Sequence, residues 1–305
     1  HFASSVVIEV VHKLYALDAD SGLEIWTYQA PAAIRSSPCV LGELVIVPDA
    51  QGTLYALDAE TGAQAWTRKL GHAVGASVRG HDDLAVIGTM GGQVVAFDPR
   101  TGEPKWTRAL EGPVESSAAL TSELVAIGGP NQGLWMLRAS DGEVLWRYRT
   151  VGELRGSPAF TRHGVFVGDS EGRLDYLDRD GEVLWSNFLR GPVGCSAAVA
   201  HGLIYLGSAD GEIAAFAHDT GRRVWTFETQ GEFSASPAVA GQVVFIGSLA
   251  GDLFALDAQS GKQLWRYPTG YSIHSSPAVA DRRLFVALRY YNMCAFAELS
   301  SDAEV

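Results

Sequence analysis

Seven of the eight tryptophans recur along the chain at an almost constant interval. Neighbouring members are 40 residues apart at every step but one, where the interval is 39. A fixed period of this size is typical of repeat architectures, in which adjacent copies bury faces that a single copy cannot bury alone. The series is Trp26, Trp66, Trp106, Trp146, Trp185, Trp225 and Trp265, and the eighth tryptophan, Trp135, is out of phase.

Each repeat contains four short apolar segments separated by turn residues. In the second repeat they are "SSPCV", "LVIV", "LYALDA" and the stretch around Trp66. Such runs, rich in Val, Ile and aromatics, predict β-strands, and no segment has helical periodicity. A four-stranded unit repeated every 40 residues predicts an all-β fold, a β-propeller of antiparallel blades. We name the strands A to D, from the predicted axis outward.

Counting strands predicts eight blades, with seven as the alternative. The first repeat shows only strands B, C and D, six full repeats follow, and the last shows A, B and C at 276–280, 284–288 and 293–297. Both terminal blades are therefore expected to be incomplete, in one domain that spans residues 1–305. Residues 298–305 are polar and are expected to form a frayed tail.

The turn between strands C and D has the same design in most repeats, although Arg138 and Ala217 replace its aspartate in two of them, where we expect altered turns rather than lost blades. Its glycine, such as Gly22, is expected to adopt a positive φ, and the preceding aspartate, such as Asp18, to bond the amides of the turn. The tryptophan four residues after the glycine offers a flat face to the neighbouring blade. We therefore expect the seven repeat indoles to be structural and mostly buried.

Charge excludes some classes of partner. Lys and Arg number 23 against 35 Asp and Glu, so the formal net charge is −12, which argues against a nucleic-acid partner. No apolar run approaches the roughly 18 residues that span a bilayer, and no signal peptide opens the sequence. The three cysteines are far apart, so neither a disulfide framework nor a zinc site is predicted.

The segments Ala16–Trp26, Ala56–Trp66 and Ala255–Trp265 share the pattern Ala-Leu-Asp-Ala-x-Ser/Thr-Gly-x-x-x-Trp. This pattern resembles the pyrroloquinoline-quinone-like, or tryptophan-docking, propeller repeat family, over essentially the whole chain. The resemblance implies one of two kinds of function. One is a rigid extracytoplasmic platform for a protein or peptide, similar to the lipoprotein scaffold of outer-membrane β-barrel assembly or to the sensor propeller of a bacterial kinase. The other is binding of pyrroloquinoline quinone with calcium.

The quinone enzymes of this family carry an adjacent Cys-Cys pair or equivalent stacking residues and a Glu/Asn/Asp set for calcium. The chain has no Cys-Cys, and no position matches the calcium set. The hypothesis is therefore a non-catalytic, monomeric scaffold or sensor without cofactor or metal. A quinone-binding protein or quinone-dependent oxidoreductase is the alternative.

Candidate binding residues lie where the D-to-A and B-to-C loops share one face of the predicted propeller, since loops on a rigid scaffold carry binding functions. The position just before each A strand is expected to surround the mouth of the channel. Two or three arginines and one histidine there could bind an anionic group or an acidic segment. A water-filled funnel with solvated charges explains the same pattern. The candidates are Arg35, Glu115, Arg155, Ser234 and His274, joined by Arg289 and Tyr290 from the last B-to-C loop, where Tyr290 could instead pack at the ring seam.

Catalytic motifs are not found. The sequence has no nucleophile elbow, no His-Glu-x-x-His motif and no phosphate-binding glycine loop. No catalytic residue is therefore predicted.

Overall fold

The structure, a computed structural model, describes residues 5–10, 12–129, 131, 133–280, 282–288 and 292–297. The regular secondary structure of these residues consists of thirty β-strands. Strands that are adjacent in sequence pair antiparallel within each sheet. The predicted all-β architecture of four-stranded blades is therefore present.

Six sheets have four strands, which follow one another across the sheet in sequence order. They are β4 (Cys39–Leu41), β5 (Leu44–Pro48), β6 (Thr53–Asp58) and β7 (Gln64–Lys69); β8 (Arg79–His81), β9 (Leu84–Gly88), β10 (Gln93–Phe97) and β11 (Pro104–Ala109); β12 (Ala119–Leu120), β13 (Leu124–Gly129), β14 (Gly133–Arg138) and β15 (Val144–Arg149); β16 (Ala159–Phe160), β17 (Gly164–Gly168), β18 (Arg173–Asp178) and β19 (Val183–Phe188); β20 (Ala198–Ala200), β21 (Leu203–Gly207), β22 (Glu212–Ala217) and β23 (Arg223–Glu228); and β24 (Ala238–Ala240), β25 (Val243–Gly247), β26 (Asp252–Asp257) and β27 (Gln263–Pro268).

The sheets at the two ends of the chain have three strands each. They are β1 (Ser5–Val10), β2 (Lys13–Asp18) and β3 (Glu24–Gln29), and β28 (Ala278–Ala280), β29 (Arg283–Leu288) and β30 (Asn292–Ala297).

The prediction of eight blades is wrong, because the structure is a seven-bladed propeller. Seven outer strands, β3, β7, β11, β15, β19, β23 and β27, carry the repeat tryptophan, whereas β28–β30 has no fourth strand among the described residues. The prediction counted the incomplete repeat at each end of the chain as a separate blade. Within the part of the chain that the structure describes, however, only seven repeats have an outer strand that carries the repeat tryptophan. The predicted tail, 298–305, lies outside the described residues, and one domain over residues 1–305 stays a prediction.

The chain divides into two compact units. The first consists of His1–Phe160 with Arg179–Gly181, and the second of Thr161–Asp178 with Glu182–Val305. Each unit buries apolar side chains from its B and C strands. Val86, Val125 and Ile127 belong to a core cluster of the first unit, and Tyr205 and Phe254 to one of the second.

Burial follows the position of a strand in its sheet. The B strand β9 is almost wholly buried, whereas the D strand β15 alternates between exposed and partly buried residues. A central strand buries both of its faces, while an edge strand keeps one face in solvent. Apolar runs such as "LAVIG" therefore form the middle of a blade and alternating runs such as "VLWRYR" its outer edge.

The repeat tryptophans dock on the next C-to-D turn. In six cases the indole N–H donates to a backbone carbonyl 33 residues further along the chain, at 2.7–3.1 Å. Trp106, for example, donates to Ala139 O at 2.8 Å. Trp26, Trp106 and Trp225 are buried, and Trp66, Trp146, Trp185 and Trp265 are partly buried.

The glycine of that turn lies against the docked ring. A Cβ atom added to Gly142 would lie 2.4 Å from Trp106 Cε3, and one added to Gly102 would lie 2.7 Å from Trp66 Cε3. Both glycines also have a φ near +70°, as the turn prediction required. The residue is therefore glycine for two reasons, backbone conformation and close approach of the indole.

The predicted capping by the turn aspartate is confirmed. The Asp58 carboxylate accepts hydrogen bonds from Thr61 Oγ1 at 2.7 Å and from Thr61 N at 2.8 Å. These bonds lower the pKa of Asp58. In the repeat where Arg138 replaces the aspartate, its guanidinium pairs with Asp141 and Glu143, so the turn is altered but kept.

A serine near each A strand adds a second link between successive repeats. In the first unit Ser37 N donates to Ser77 Oγ at 3.1 Å, and Ser77 N donates to Ser117 Oγ at 3.0 Å. In the second unit Ser196 N and Ser236 N make the same bond to a hydroxyl 40 residues ahead. Sequence reasoning missed this ladder, which gives backbone donors beside the short A strands a partner.

None of the described residues forms a helix that is long and apolar enough to cross a membrane.

Replacing Trp106 measures how much one docked indole stabilises the fold. We expect Trp106→Ala to lower the free energy of unfolding by about 3–5 kcal/mol, because a buried aromatic ring is removed. Trp106→Phe keeps a ring but loses the bond to Ala139 O, and should cost less. Urea unfolding followed by circular dichroism checks both, and equal losses would show that the hydrogen bond, not the packing, dominates.

Substitution of two turn glycines separates the free-energy cost of a positive φ from the cost of a side chain that clashes with the docked indole. Gly22 and Gly142 have φ of +70° and +69°, but no atom lies within 4 Å of a Cβ placed on Gly22. We expect Gly22→Ala to cost about 1 kcal/mol from backbone strain, and Gly142→Ala to cost about 1–3 kcal/mol more from the clash with Trp106. Equal urea midpoints for the two variants would contradict the role of indole contact.

Candidate functional site

The candidate residues just before the A strands, Arg35, Glu115, Arg155, Ser234 and His274, are all exposed. Arg35, Glu115 and Arg155 follow Ile34, Val114 and Leu154, which are buried. Ser234 and His274 likewise follow Phe233 and Ile273, and they are exposed. The alternation of an extended segment places the apolar residue in the blade and the next side chain in solvent.

Three of the predicted residues lie together in the first unit. Arg35, Glu115 and Arg155 line one cavity of about 590 Å³. The other residues of its lining are Ala50, Ala73, Val74, Gly75, Met90 and Glu153. The D-to-A segments of four successive repeats supply most of this surface, with Ala50 and Met90 added by B-to-C loops.

Charges of both signs meet in this cavity. Arg155 Nη2 lies 3.4 Å from Glu153 Oε2, and both side chains are about two-thirds exposed. An ion pair this exposed contributes little to stability and can be exchanged for a ligand contact. Arg35 makes no ion pair within the described part of the chain. The cavity therefore presents two guanidinium groups and two carboxylates at solvent-accessible positions.

A second cavity, of about 340 Å³, shares three residues with the first. Glu115, Glu153 and Arg155 line both, and Glu111 and Asn131 are among the other residues that line the second. The shared residues make the two cavities adjacent. Together they form a polar surface with room for more than one amino-acid side chain.

Sequence reasoning missed Glu153 and Met90. Glu153 lies two residues before Arg155, and Ala73 lies two residues before Gly75, so both belong to a second exposed position of the same extended segment. Period-2 alternation could have revealed that position. Met90, 39% exposed, gave no signal in the sequence beyond its place in a B-to-C loop.

The remaining predicted residues are not brought to this cavity by the structure as described. Ser234 and His274 belong to the second unit, at the corresponding position of their own repeats. Arg289 and Tyr290 lie outside the described residues. A joint binding role for all seven candidates stays a prediction.

Two aspartates of the B-to-C loops, Asp49 and Asp169, have structural partners. Asp49 is 2% exposed, and its carboxylate accepts from Thr53 N at 2.8 Å and from Tyr55 Oη at 2.9 Å. Burial, together with that bond, raises the pKa of Tyr55 to about 12. The Asp169 carboxylate likewise accepts from a backbone amide of its own loop, Arg173 N, at 3.0 Å. These carboxylates hold their own loops and are not open to a ligand.

Comparison with protein families supports the resemblance noted in the sequence. The model of a family described as outer membrane protein assembly factor BamB matches residues 3–118, 50–201 and 209–303. Comparison with curated proteins gave no match.

Several solved structures share the fold. BamB from Moraxella catarrhalis is 21% identical, with a TM-score of 0.81 over 94% of this chain and 92% of that one. The computationally designed protein Ika8 is 15% identical, with a TM-score of 0.87 over 97% and 93%. The quinohemoprotein alcohol dehydrogenase ADHIIG from Pseudomonas putida HK5 is 17% identical, with a TM-score of 0.77 over 94% of this chain and 68% of that one. At these identities the likeness shows the fold alone.

Among the described residues, no set of acidic side chains is assembled for the calcium ion that accompanies the quinone. Calcium prefers six to eight oxygen ligands. Within the described part of the chain no group of three or more His, Cys, Asp or Glu side chains is placed to hold a metal ion. The most buried loop carboxylates, Asp49 and Asp169, are already bonded to their own loops.

Reduction of a dye tests whether the protein can use the quinone with calcium. We expect no reduction of an artificial electron acceptor above a heat-inactivated control when the protein is given quinone, Ca²⁺ and an alcohol or glucose, because the calcium ligands are not assembled. Absorbance of the dye is the measurement, and a known quinone dehydrogenase serves as the positive control. Clear turnover would reopen the search for a base, beginning with Glu115.

Proposed function

We propose that the chain, which belongs to the outer membrane protein assembly factor BamB family, is a non-catalytic extracytoplasmic scaffold that binds a protein or peptide segment. The family model matches most of its length, and the name of the family refers to the assembly of outer membrane proteins. In this proposal the chain is a monomer, and its D-to-A and B-to-C loops contact the partner.

The observation that carries the proposal is the cavity of about 590 Å³ between Arg35 and Arg155. Its lining combines charged groups with the apolar Val74 and Met90. A flexible methionine can adapt to differently shaped apolar side chains, while guanidinium groups bind carboxylates through paired hydrogen bonds. Such a surface suits an extended peptide segment that carries acidic and apolar residues.

The electrostatics of the chain favour local recognition over general attraction. With a net charge of −12, the protein repels acidic partners at long range. Arg35 and Arg155 are exposed basic groups within one cavity, so an acidic side chain gains its attraction only after docking. Glu115 and Glu153 disfavour a partner that places a second acidic group at the wrong point of the cavity.

The scaffold also meets the mechanical requirement for such a site. Loops recognise a partner best when the elements that position them are rigid. Here the residues before Arg35 and Glu115 are buried in the blades, and the serine ladder joins Ser37, Ser77 and Ser117 just after them. The variable side chains are thus anchored on both sides.

Peptide selection tests the proposal and needs no identified partner. A displayed library of random peptides is selected on the full wild-type chain alone, and each selected peptide is then measured against the wild type and against Arg35→Ala/Arg155→Ala. We expect the surviving peptides to be rich in Asp and Glu, and to bind the double variant about tenfold or more weakly, since each lost charge-assisted contact removes roughly that factor. Raising salt from about 0.1 M to about 1 M should weaken wild-type binding, because the Debye length falls from about 10 Å to about 3 Å.

The matched control removes the same charge elsewhere. Arg162→Ala/Arg222→Ala takes away two exposed arginines that do not line the cavity, and it should bind selected peptides like the wild type. Melting temperatures of both double variants should stay near the wild-type value. Peptides that bind the Arg35/Arg155 double variant with wild-type affinity would refute the cavity as the binding site.

A further inference from the structure

Arg147 and Arg149, on the third four-stranded blade of the first unit, form a cluster whose charges no acidic side chain balances among the described residues. Arg147 and Arg149 are exposed on strand β15, and with Asn131 they line a cavity of about 460 Å³. Neither arginine forms an ion pair within the described part of the chain. In a protein where acids exceed bases by 12, two neighbouring arginines without an acidic partner are unexpected.

The equivalent arginine of another repeat has such a partner. Arg266 stands opposite Phe254 in its sheet, as Arg147 stands opposite Trp135. Two guanidinium nitrogens of Arg266, Nε and Nη2, contact the two carboxylate oxygens of Asp252, each at 2.8 Å. This is the two-point contact through which arginine binds planar carboxylates.

The blade of Arg147 lacks that carboxylate. The position of Asp252, opposite Pro268, is taken by Gly133, opposite Arg149. One repeat therefore balances its arginine with an aspartate. The other repeat has glycine in place of the aspartate and a second arginine in place of the proline. Its four paired positions, Gly133, Trp135, Arg147 and Arg149, therefore carry a charge of +2, whereas the equivalent four positions around Arg266 are neutral in sum.

The guanidinium group of Arg147 stacks on the ring of Trp135 and stays exposed to solvent. The guanidinium carbon lies 4.7 Å from the centre of the Trp135 ring, and Nη2 reaches only a long contact of 3.4 Å to Asn131 O. Stacking on an aromatic ring leaves the edge of the guanidinium available, and the edge carries the donors that bind an oxyanion.

The position of Trp135 has its own cause. In the repeat of Tyr55, the ring hydroxyl donates to Asp49, but Gly129 occupies the place of Asp49 next to Trp135. A Cβ added to Gly129 would lie 2.7 Å from Trp135 Nε1, so the indole occupies the space that the aspartate would need. This loop has thus lost a second carboxylate, and Trp135 Nε1 is buried with no acceptor among the described residues.

We propose that Arg147, Arg149 and Asn131 form a binding site for an oxyanion, the carboxylate or phosphate group of a ligand, which takes the place that Asp252 takes against Arg266. Trp135 is a positioning residue in this site. The two arginines lie on the same face of one strand, two residues apart, so a single oxyanion can accept from both. The site shares no residue with the cavity of Arg35, although Asn131 also lines the neighbouring cavity of about 340 Å³.

Calorimetric titration of the full chain tests the proposal. Inorganic phosphate and succinate are titrated separately at constant ionic strength, so that the two arms distinguish a phosphate from a carboxylate ligand. We expect saturable binding of at least one anion, weakened about tenfold or more by Arg147→Ala and by Arg149→Ala. Arg162→Ala, which removes an exposed arginine elsewhere, should leave binding unchanged.

A second variant keeps both arginines. Gly133→Asp places a carboxylate at the position of Asp252, and it should weaken anion binding by supplying the missing acceptor within the chain. Thermal unfolding of each variant confirms that it is folded. The proposal is overturned if neither anion binds with a Kd below about 10 mM, or if Arg147→Ala and Gly133→Asp, when folded, both bind like the wild type.

Discussion

The contact that six of the seven repeat indoles make with the next C-to-D turn is the interaction on which the architecture depends. A single four-stranded sheet cannot bury both of its faces, so each blade is stable only against a neighbour. The indole of Trp106 supplies that neighbour with a flat apolar face, and its N–H satisfies the carbonyl of Ala139. Gly142 must be glycine because the ring lies where a side chain would begin. The 40-residue spacing, the turn glycine and the repeat tryptophan are therefore all needed for the same contact.

This design leaves other positions free to vary. Indole docking uses the outer strands and their turns, and the serine ladder, for example Ser37 with Ser77, uses the segments near the A strands. The side chain just before each A strand contributes to neither link. That freedom explains how Arg35, Glu115 and Arg155 can differ in charge while occupying the same place in successive repeats. It also explains how they come to line one cavity in the first unit.

The sequence predicted much of the fold and part of the candidate site. The period gave the strand order and the turn chemistry, because each turn is built from residues next to one another in the chain. Register alone identified Arg35, Glu115 and Arg155. It missed Met90, and it does not show that the carboxylate of Asp49, in a B-to-C loop, is buried and bonded to Thr53 and Tyr55. A loop position says which face a residue is near, but not whether its side chain already has a partner.

The sequence by itself determined the four-stranded repeat, its tryptophan and its family, since these depend on spacing within about 40 residues. Tertiary structure decided the number of blades and the partners of individual side chains. Arg147 and Arg266 occupy the same place in their repeats, yet one stacks on Trp135 and the other binds Asp252. The difference arises across paired strands and between neighbouring side chains. Their distances are set by packing and register, so the periodic pattern does not contain them.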